Sequence, residues 1–296
     1  MLQGDAGAGS GRQGMALFLL AMLLFAAFDA SSKYLITLQL PALFLNAARY
    51  LAFLGVGAMV FMRGKRSPPA RGVSAGWFLL LRGIALGVAG ICFMLALTWM
   101  PLGEATAIYF TAPFMVVVVS RWVLGETVGT IKWLSVIAGF LGMLLIIRPG
   151  GALPLYGTVL MVIAALSYAC YQVLTKYLSS GGIPIHIQYG STAIVAFLIA
   201  IVPAALYPPD PWPTPGMLLL ILAVCSLNAA GHLILIAAFE KAAASALAPL
   251  NYLQLAMAVL FSIFLFHSMP DGITLFGIMI VIVSGVANVA YGRRTA

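Results

Sequence analysis

Ten long apolar segments constrain the fold of this chain more than any other feature of its sequence. Each holds about 20 residues, the length that an α-helix needs to cross a hydrocarbon core of about 30 Å. Because lipid offers no partners to backbone polar groups, each segment is predicted to be a transmembrane helix. The predicted spans are 15–36, 41–62, 75–98, 102–122, 130–148, 155–177, 184–207, 215–239, 244–266 and 273–292.

The composition agrees with a protein that lies within a lipid bilayer. Hydrophobic residues make up 63% of the chain and charged residues 7%, against roughly 45–50% and about 25% in soluble domains. So few charges cannot cover a water-exposed surface, and most of the surface is predicted to face lipid. The cysteines (Cys92, Cys170 and Cys225) have no motif spacing. No disulfide framework, metal site or cofactor is therefore predicted.

Lysine and arginine residues predict the orientation of the spans. With the N-terminus inside, twelve of them fall on the cytoplasmic side, whereas Lys33 and Arg148 stay outside and Arg49 lies within the second span. This asymmetry follows the positive-inside rule and places both termini in the cytoplasm. The positive charges do not cluster into one binding face, so no nucleic-acid partner is predicted. The twelve cytoplasmic residues are Arg12, Arg63, Lys65, Arg66, Arg71, Arg82, Arg121, Lys132, Lys176, Lys241, Arg293 and Arg294.

A ten-residue pattern occurs twice, at residues 26–35 and, 143 residues later, at 169–178. Both copies end in Lys-Tyr-Leu and carry an aromatic residue at the third position, followed by Asp29 or Gln172. The offset is close to half of the chain, which predicts a duplicated unit. Five spans per half is an odd number, so the second half is expected to enter the membrane from the opposite side. The predicted organisation is a disordered tail at 1–13, a first repeat at 14–149 and a second at 150–296.

Several motifs resemble those of a known transporter family. They are residues 44–50 (FLNAARY) in span 2, residues 105–113 in span 4, residues 124–126 (LGE) and the Lys-Tyr pairs that close spans 1 and 6. On these residues the chain resembles the EamA branch of the drug/metabolite transporter superfamily. The resemblance implies an all-α integral membrane fold of ten transmembrane helices in two inverted five-helix repeats. It also implies a location in the bacterial inner membrane and export of metabolites, most often amino acids. In the second half, His267 and Ser268 stand where the first half has Gly125 and Glu126.

Charged residues inside the spans are the first candidates for a site, because each costs about 2.5–3.5 kcal/mol to insert. Asp29 in span 1 and Arg49 in span 2 lie at similar depths when counted at about 1.5 Å per residue. They are expected either to form a buried ion pair between the two spans or to bind a charged substrate or a proton.

Polar residues in the other spans recur at helical spacing. Tyr168, Tyr171 and Gln172 share one face of span 6, which favours a cavity lining. The pairs Asn228 and His232 in span 8 and Asn251 and Gln254 in span 9 are expected either to hydrogen-bond between helices or to form polar walls of that cavity. The predicted substrate-binding residues are Asp29, Arg49, Trp99, Thr106, Tyr109, Tyr168, Tyr171, Gln172, Asn228, His232, Asn251 and Gln254.

A secondary transporter is the predicted function, working by alternating access with a central site between the two repeats. The expected solutes are amino acids, aromatic or otherwise amphipathic, and nucleotide sugars or cationic drugs are the alternative. A passive channel and an intramembrane enzyme are less favoured; no HExxH, GxSxG or paired-carboxylate motif occurs in the sequence. The expected partners are a small-molecule solute and the lipid bilayer, and the expected assembly is a monomer or a weak homodimer.

Overall fold

The computed structural model describes residues 4–63, 73–123, 129–147, 153–180, 183–241 and 248–292. Helices and the short connections between them make up these residues. The helices are α1 (Gly4–Thr37), α2 (Ala42–Arg63), α3 (Val73–Trp99), α4 (Leu102–Tyr109), α5 (Ala112–Val123), α6 (Thr130–Ile147), α7 (Leu155–Ser180), α8 (Ile185–Leu206), α9 (Pro215–Lys241), α10 (Tyr252–Phe264) and α11 (Gly272–Gly292).

The helices have the length and hydropathy of a membrane protein. Within the described residues, six of them (α1, α2, α3, α7, α8 and α9) are long and apolar enough to cross a membrane, and α6, α10 and α11 carry shorter apolar stretches. Every predicted span therefore contains helix, and the all-helical membrane architecture is confirmed. Ten crossings and the inverted relation of the two halves stay predictions.

The N-terminal tail differs from the expectation. The structure begins α1 at Gly4, so residues 4–13, predicted to be disordered, are helical. Extending an existing helix adds one hydrogen bond per residue without a new nucleation cost, which explains why a glycine-rich segment can continue the first span.

The fourth predicted span is interrupted between α4 and α5. Phe110 and Thr111 form a turn there, and the Thr111 hydroxyl donates to the Ile108 carbonyl oxygen at 2.6 Å. Pro113, just after the turn, has no backbone N–H and disfavours a continuous helix through this point.

The ninth predicted span has a matching irregularity, a 3-10 turn at Ala248–Asn251 that precedes α10. Phe110 and Asn251 are 141 residues apart, close to the 143-residue repeat. The two interruptions therefore lie at nearly the same spacing as the repeated sequence pattern.

Glycines allow close contacts between helices at two crossings. A Cβ on Gly83 of α3 would meet Val195 of α8, and one on Gly87 would lie 3.4 Å from the Ala196 backbone. At the crossing of α6 and α11, a Cβ on Gly142 would lie 2.8 Å from the Gly277 carbonyl oxygen. Small residues at such crossings let helices approach where lipid supplies no hydrophobic driving force.

Helices of the first half pack extensively on helices of the second. The most extensive pairs are α3 with α7, α1 with α9, α6 with α11, α2 with α8 and α3 with α8, and α4 also packs on α10. The two halves therefore enclose a space between them, where the polar side chains of the spans meet. Residues 124–126 and six of the predicted cytoplasmic or external cations (Lys65, Arg66, Arg71, Arg148, Arg293 and Arg294) lie outside the described residues.

Candidate functional site

A cavity of about 270 Å³ lies between the two halves, just below the usual range of roughly 300–1,000 Å³ for ligand pockets. Helices α1 to α5, α7, α9 and α10 contribute to its walls. The structure brings ten of the twelve predicted substrate-binding residues to this cavity. They are Asp29, Arg49, Thr106, Tyr109, Tyr168, Gln172, Asn228, His232, Asn251 and Gln254.

Trp99 and Tyr171 are not part of the cavity lining. Trp99 is the last residue of α3, is 56% exposed and packs edge-on against the ring of Tyr156. Its predicted role at the site is wrong, because the end of α3 turns it away from the cavity. Tyr171 lies one layer behind the wall, where its ring stacks on that of Tyr168 at 5.8 Å.

Asp29 is held at the cavity by an amide rather than by a cation. Its side chain is buried, and Oδ2 accepts a hydrogen bond from Gln254 Nε2 at 2.8 Å. Both Asp29 and Arg49 are among the described residues, yet their charged atoms form no ion pair within 4.0 Å. The interpretation of the two residues as a direct structural ion pair is therefore wrong.

Arg49 turns toward α3 instead of toward Asp29. Its Nη2 donates to the Tyr50 hydroxyl at 2.6 Å, and that hydroxyl donates to the Leu86 carbonyl oxygen at 2.7 Å. The guanidinium also lies 4.4 Å from the Tyr50 ring centroid, a distance at which a cation–π interaction contributes. Gly90 leaves the necessary space, because a Cβ there would overlap Arg49 Nη2.

A second arginine, Arg82, has the opposite environment. It is 5% exposed and donates to Thr175 Oγ1, the Gln188 carbonyl oxygen, Thr192 Oγ1 and the Tyr171 hydroxyl. These four hydrogen bonds join α3 to α7 and α8, so Arg82 links three helices. The sequence placed Arg82 among the cytoplasmic charges; in the structure its partners lie within the helix bundle, and two of them, Thr175 and Gln188, lie near the predicted cytoplasmic ends of α7 and α8.

Aromatic rings form the wall between α4 and α7. The rings of Tyr109 and Tyr168 stack at 4.9 Å, and Phe93 meets Tyr109 edge-on at 5.0 Å. His232 lies between the rings of Phe25 and Phe53, each 4.8 Å from it. The cavity thus combines stacked aromatic surfaces with one carboxylate and one guanidinium.

Sequence reasoning missed two polar residues next to Arg49. Tyr50 anchors the guanidinium as described above, and Asn46 is fully buried with no hydrogen-bond partner for either side-chain atom. Asn46 precedes Arg49 by three residues and so shares its helix face, a signal that could have identified it. Within the described residues, no group of three His, Cys, Asp or Glu side chains has the arrangement of a metal site.

Comparison with known proteins gives the family. Residues 12–148 and 155–289 each match the EamA-like transporter family. The chain belongs to that family. This EamA-like transporter is 29% identical over 274 residues to the S-adenosylmethionine uptake transporter of Rickettsia bellii, covering 91% of this chain and 90% of that protein. It is 29% identical over 281 residues to the riboflavin transporter of Vibrio cholerae, with 92% and 91% covered.

Two further comparisons extend this result. The EamA-like transporter is 28% identical over 220 residues to the pseudopaline exporter CntI of Pseudomonas aeruginosa, covering 71% of this chain and 73% of that protein. A crystal structure with 19% sequence identity superposes with a TM-score of 0.64 over 96% of this chain and 99% of that chain, which shows a shared fold. The EamA-like transporter is therefore a small-molecule transporter of a membrane and not an enzyme.

Proposed function

We propose that this EamA-like transporter exports amphipathic zwitterions, amino acids or close derivatives of them, by alternating access through the cavity between its halves. One observation carries the proposal. Asp29 and Arg49 both line the cavity, yet no ion pair within 4.0 Å joins their charged atoms.

The chemistry of a zwitterion complements these two charges. An ammonium group beside Asp29 and a carboxylate beside Arg49 would each form a charge-assisted hydrogen bond, about twice as strong as a neutral one. Because each uncompensated charge in a span is costly, the solute would supply the missing partners. The stacked rings of Tyr109 and Tyr168 provide an apolar surface for an aromatic or otherwise flat side group.

Helix packing supports the inverted repeat. If α1, α2, α3, α4 to α5 and α6 correspond to α7, α8, α9, α10 and α11, exchanging the halves turns the contact of α3 with α7 into that of α9 with α1. The same exchange leaves the pairs α2 with α8, α6 with α11 and α4 with α10 unchanged, and all of these contacts are present. Interrupted helices at matching positions of two repeats are also typical of the substrate site in such transporters.

A difference between the halves supports alternating access. Lys33 Nζ donates to the carbonyl oxygens of Leu97 and Met100 at 2.5 and 3.0 Å, which ties α1 to the end of α3. Helices α1 and α3 are in contact, whereas the corresponding pair, α7 and α9, has no contact of similar extent among the described residues. Closure of the predicted external side is further supported by large side chains there that are fully buried in one core cluster: Leu35, Leu45, Met94, Leu97, Met100 and Leu102.

The cavity reaches toward the opposite membrane surface. Met22 and Phe25 of α1, Val116 of α5 and Leu235 of α9 line it, and all four lie in the helix halves predicted to be cytoplasmic. This arrangement fits a state that takes up solute from the cytoplasm for export.

S-adenosylmethionine is the second candidate solute. The 29% identical Rickettsia bellii relative is an S-adenosylmethionine uptake transporter, and the compound combines an amino-acid zwitterion with a flat adenine ring. The same cavity walls would accept it, and direction of transport is the main difference from the leading proposal.

The experiment is uptake into proteoliposomes of L-tryptophan, S-adenosylmethionine and riboflavin, each radiolabelled, by the purified wild-type protein and the Asp29→Asn variant. The proposal expects saturable uptake of a zwitterion that Asp29→Asn reduces about tenfold or more, since a hydrogen bond to a charged group contributes about 1.5–3 kcal/mol. Uptake of riboflavin alone, unaffected by Asp29→Asn, would overturn the zwitterion assignment.

A further inference from the structure

Asn46 is the most conspicuous buried polar residue that the proposed function leaves without a role. Its side chain is fully buried in α2, and neither Nδ2 nor Oδ1 has a hydrogen-bond partner in the structure. Buried side-chain amides in proteins nearly always have partners, and each exception calls for an explanation. Asn46 therefore retains both a donor and an acceptor beside the cavity.

The surroundings of Gly90 show what Asn46 faces. A Cβ placed on Gly90 would touch Arg49 Nη2 and the Tyr50 hydroxyl, and it would lie 2.9 Å from Asn46 Oδ1. The amide oxygen of Asn46 and the guanidinium of Arg49 thus converge on the same point of α3, where glycine leaves room for both. No hydrogen bond joins them in this state, because Nη2 donates to Tyr50 instead.

The hydrogen-bonding capacity of Arg49 is mostly unused. A guanidinium has five N–H donors. Among the described residues, one N–H group of Arg49 has a hydrogen-bond acceptor, and Nε is buried without a hydrogen-bond partner. Arg82, by contrast, makes four hydrogen bonds. Among the described residues, Arg82 thus has four acceptors and Arg49 has one.

We propose that Asn46 is a positioning residue that holds the Arg49 guanidinium for the carboxylate of the transported solute, a refinement that rests on the proposed zwitterion transport. When a carboxylate binds two N–H groups of Arg49, the Asn46 amide oxygen accepts from a third. This second acceptor fixes the plane of the guanidinium, which bidentate recognition of a carboxylate requires. Thr106, whose buried Oγ1 also has no partner, faces the same cavity and offers the carboxylate an additional donor.

This role makes a distinctive prediction for stability. Replacing a buried, unpartnered amide with an apolar group of similar size is nearly neutral or stabilising, whereas removing an amide that makes structural hydrogen bonds is destabilising. Asn46→Leu is thus expected to leave the melting temperature unchanged or raised. The same variant is expected to lose selectivity for a carboxylate, because Arg49 is no longer oriented.

The test measures competition in proteoliposomes that contain the full-length protein. Uptake of radiolabelled L-tryptophan is inhibited with unlabelled L-tryptophan or with L-tryptophanamide, which lacks the carboxylate. The wild type is expected to prefer the acid by about tenfold or more, and Asn46→Leu to lower this preference to about threefold or less. Asn46→Gln, which keeps an amide oxygen, is expected to restore part of it.

The outcomes separate this inference from the proposed function. Absence of uptake of both L-tryptophan and S-adenosylmethionine by the wild type would contradict the proposed function, and with it the role of Asn46. Normal uptake with an unchanged preference for the acid in Asn46→Leu would overturn only the inference about Asn46. If Asn46→Leu and Asn46→Ala both melt several degrees lower, the amide is structural and the inference is also wrong.

Discussion

Arg49 and Arg82 are expected to respond in opposite ways to the same substitution. Arg82→Gln removes four hydrogen bonds that join α3 to α7 and α8, and the shorter amide can restore only part of them. If two charge-assisted hydrogen bonds are not replaced, the free energy of unfolding falls by about 3–6 kcal/mol. The melting temperature should then drop by roughly 10 °C.

Arg49→Gln removes a single hydrogen bond to Tyr50 and also removes the unpartnered Nε. These changes nearly cancel, so the free energy of unfolding is expected to change by about 1 kcal/mol or less. Loss of the guanidinium should instead raise the KM for a zwitterionic solute by about 10–100-fold, since hydrogen bonds to charged groups contribute about 1.5–3 kcal/mol.

The assay pairs thermal unfolding of the purified variants with uptake kinetics in proteoliposomes. Wild type, Arg49→Gln and Arg82→Gln are compared at matched protein density. The reasoning is refuted if Arg49→Gln unfolds as early as Arg82→Gln, or if Arg82→Gln keeps the wild-type melting temperature.

Three further substitutions test separate parts of the cavity. Gly90→Ala is expected to displace Arg49 and reduce uptake about tenfold, whereas Gly55→Ala, whose Cβ would have nothing within 4 Å, should transport normally; equal activity of the two variants would contradict the contact at Gly90. Lys33→Met should loosen the external closure, with Lys33→Arg as the control. In a cysteine-free background with a cysteine introduced at Ala89, a membrane-impermeant thiol reagent should then label that cysteine several-fold faster. An unchanged labelling rate would exclude Lys33 from that closure. Tyr168→Ala should raise the KM for an aromatic solute by about 2–10-fold, the range expected for one aromatic pair, while Tyr168→Phe should keep it; a similar loss in both would assign the effect to the hydroxyl.

The helices were predictable because the bilayer fixes their length. Span 2, predicted at 41–62, corresponds to Ala42–Arg63, and span 8, predicted at 215–239, to Pro215–Lys241. Polar residues in the spans were predictable as cavity residues for a related reason: facing lipid would cost them their hydrogen bonds. Asn228, Asn251 and Gln254 are such residues, and they line the cavity.

The direction in which a side chain points from its helix was much harder to predict. Asp29 and Arg49 lie at similar depths, but depth does not reveal that Arg49 turns toward Gly90 and Tyr50. Trp99 at the end of α3 suits a membrane interface as well as a cavity, and the sequence alone offered no means of choosing. Arg82 has partners 89 to 110 residues away along the chain, so the sequence did not reveal that it joins three helices.

Solute counterflow tests most directly whether the cavity carries a zwitterion by alternating access. Proteoliposomes are loaded with unlabelled L-tryptophan or with buffer, and entry of labelled L-tryptophan is followed at increasing external concentration. We expect saturable entry that internal tryptophan accelerates, and loss of both properties in Asp29→Asn and Arg49→Gln. Entry that rises linearly with concentration and does not depend on the internal solute would show a channel and contradict alternating access. Entry of uncharged solutes but not of L-tryptophan would contradict the pairing of Asp29 and Arg49 with a zwitterion.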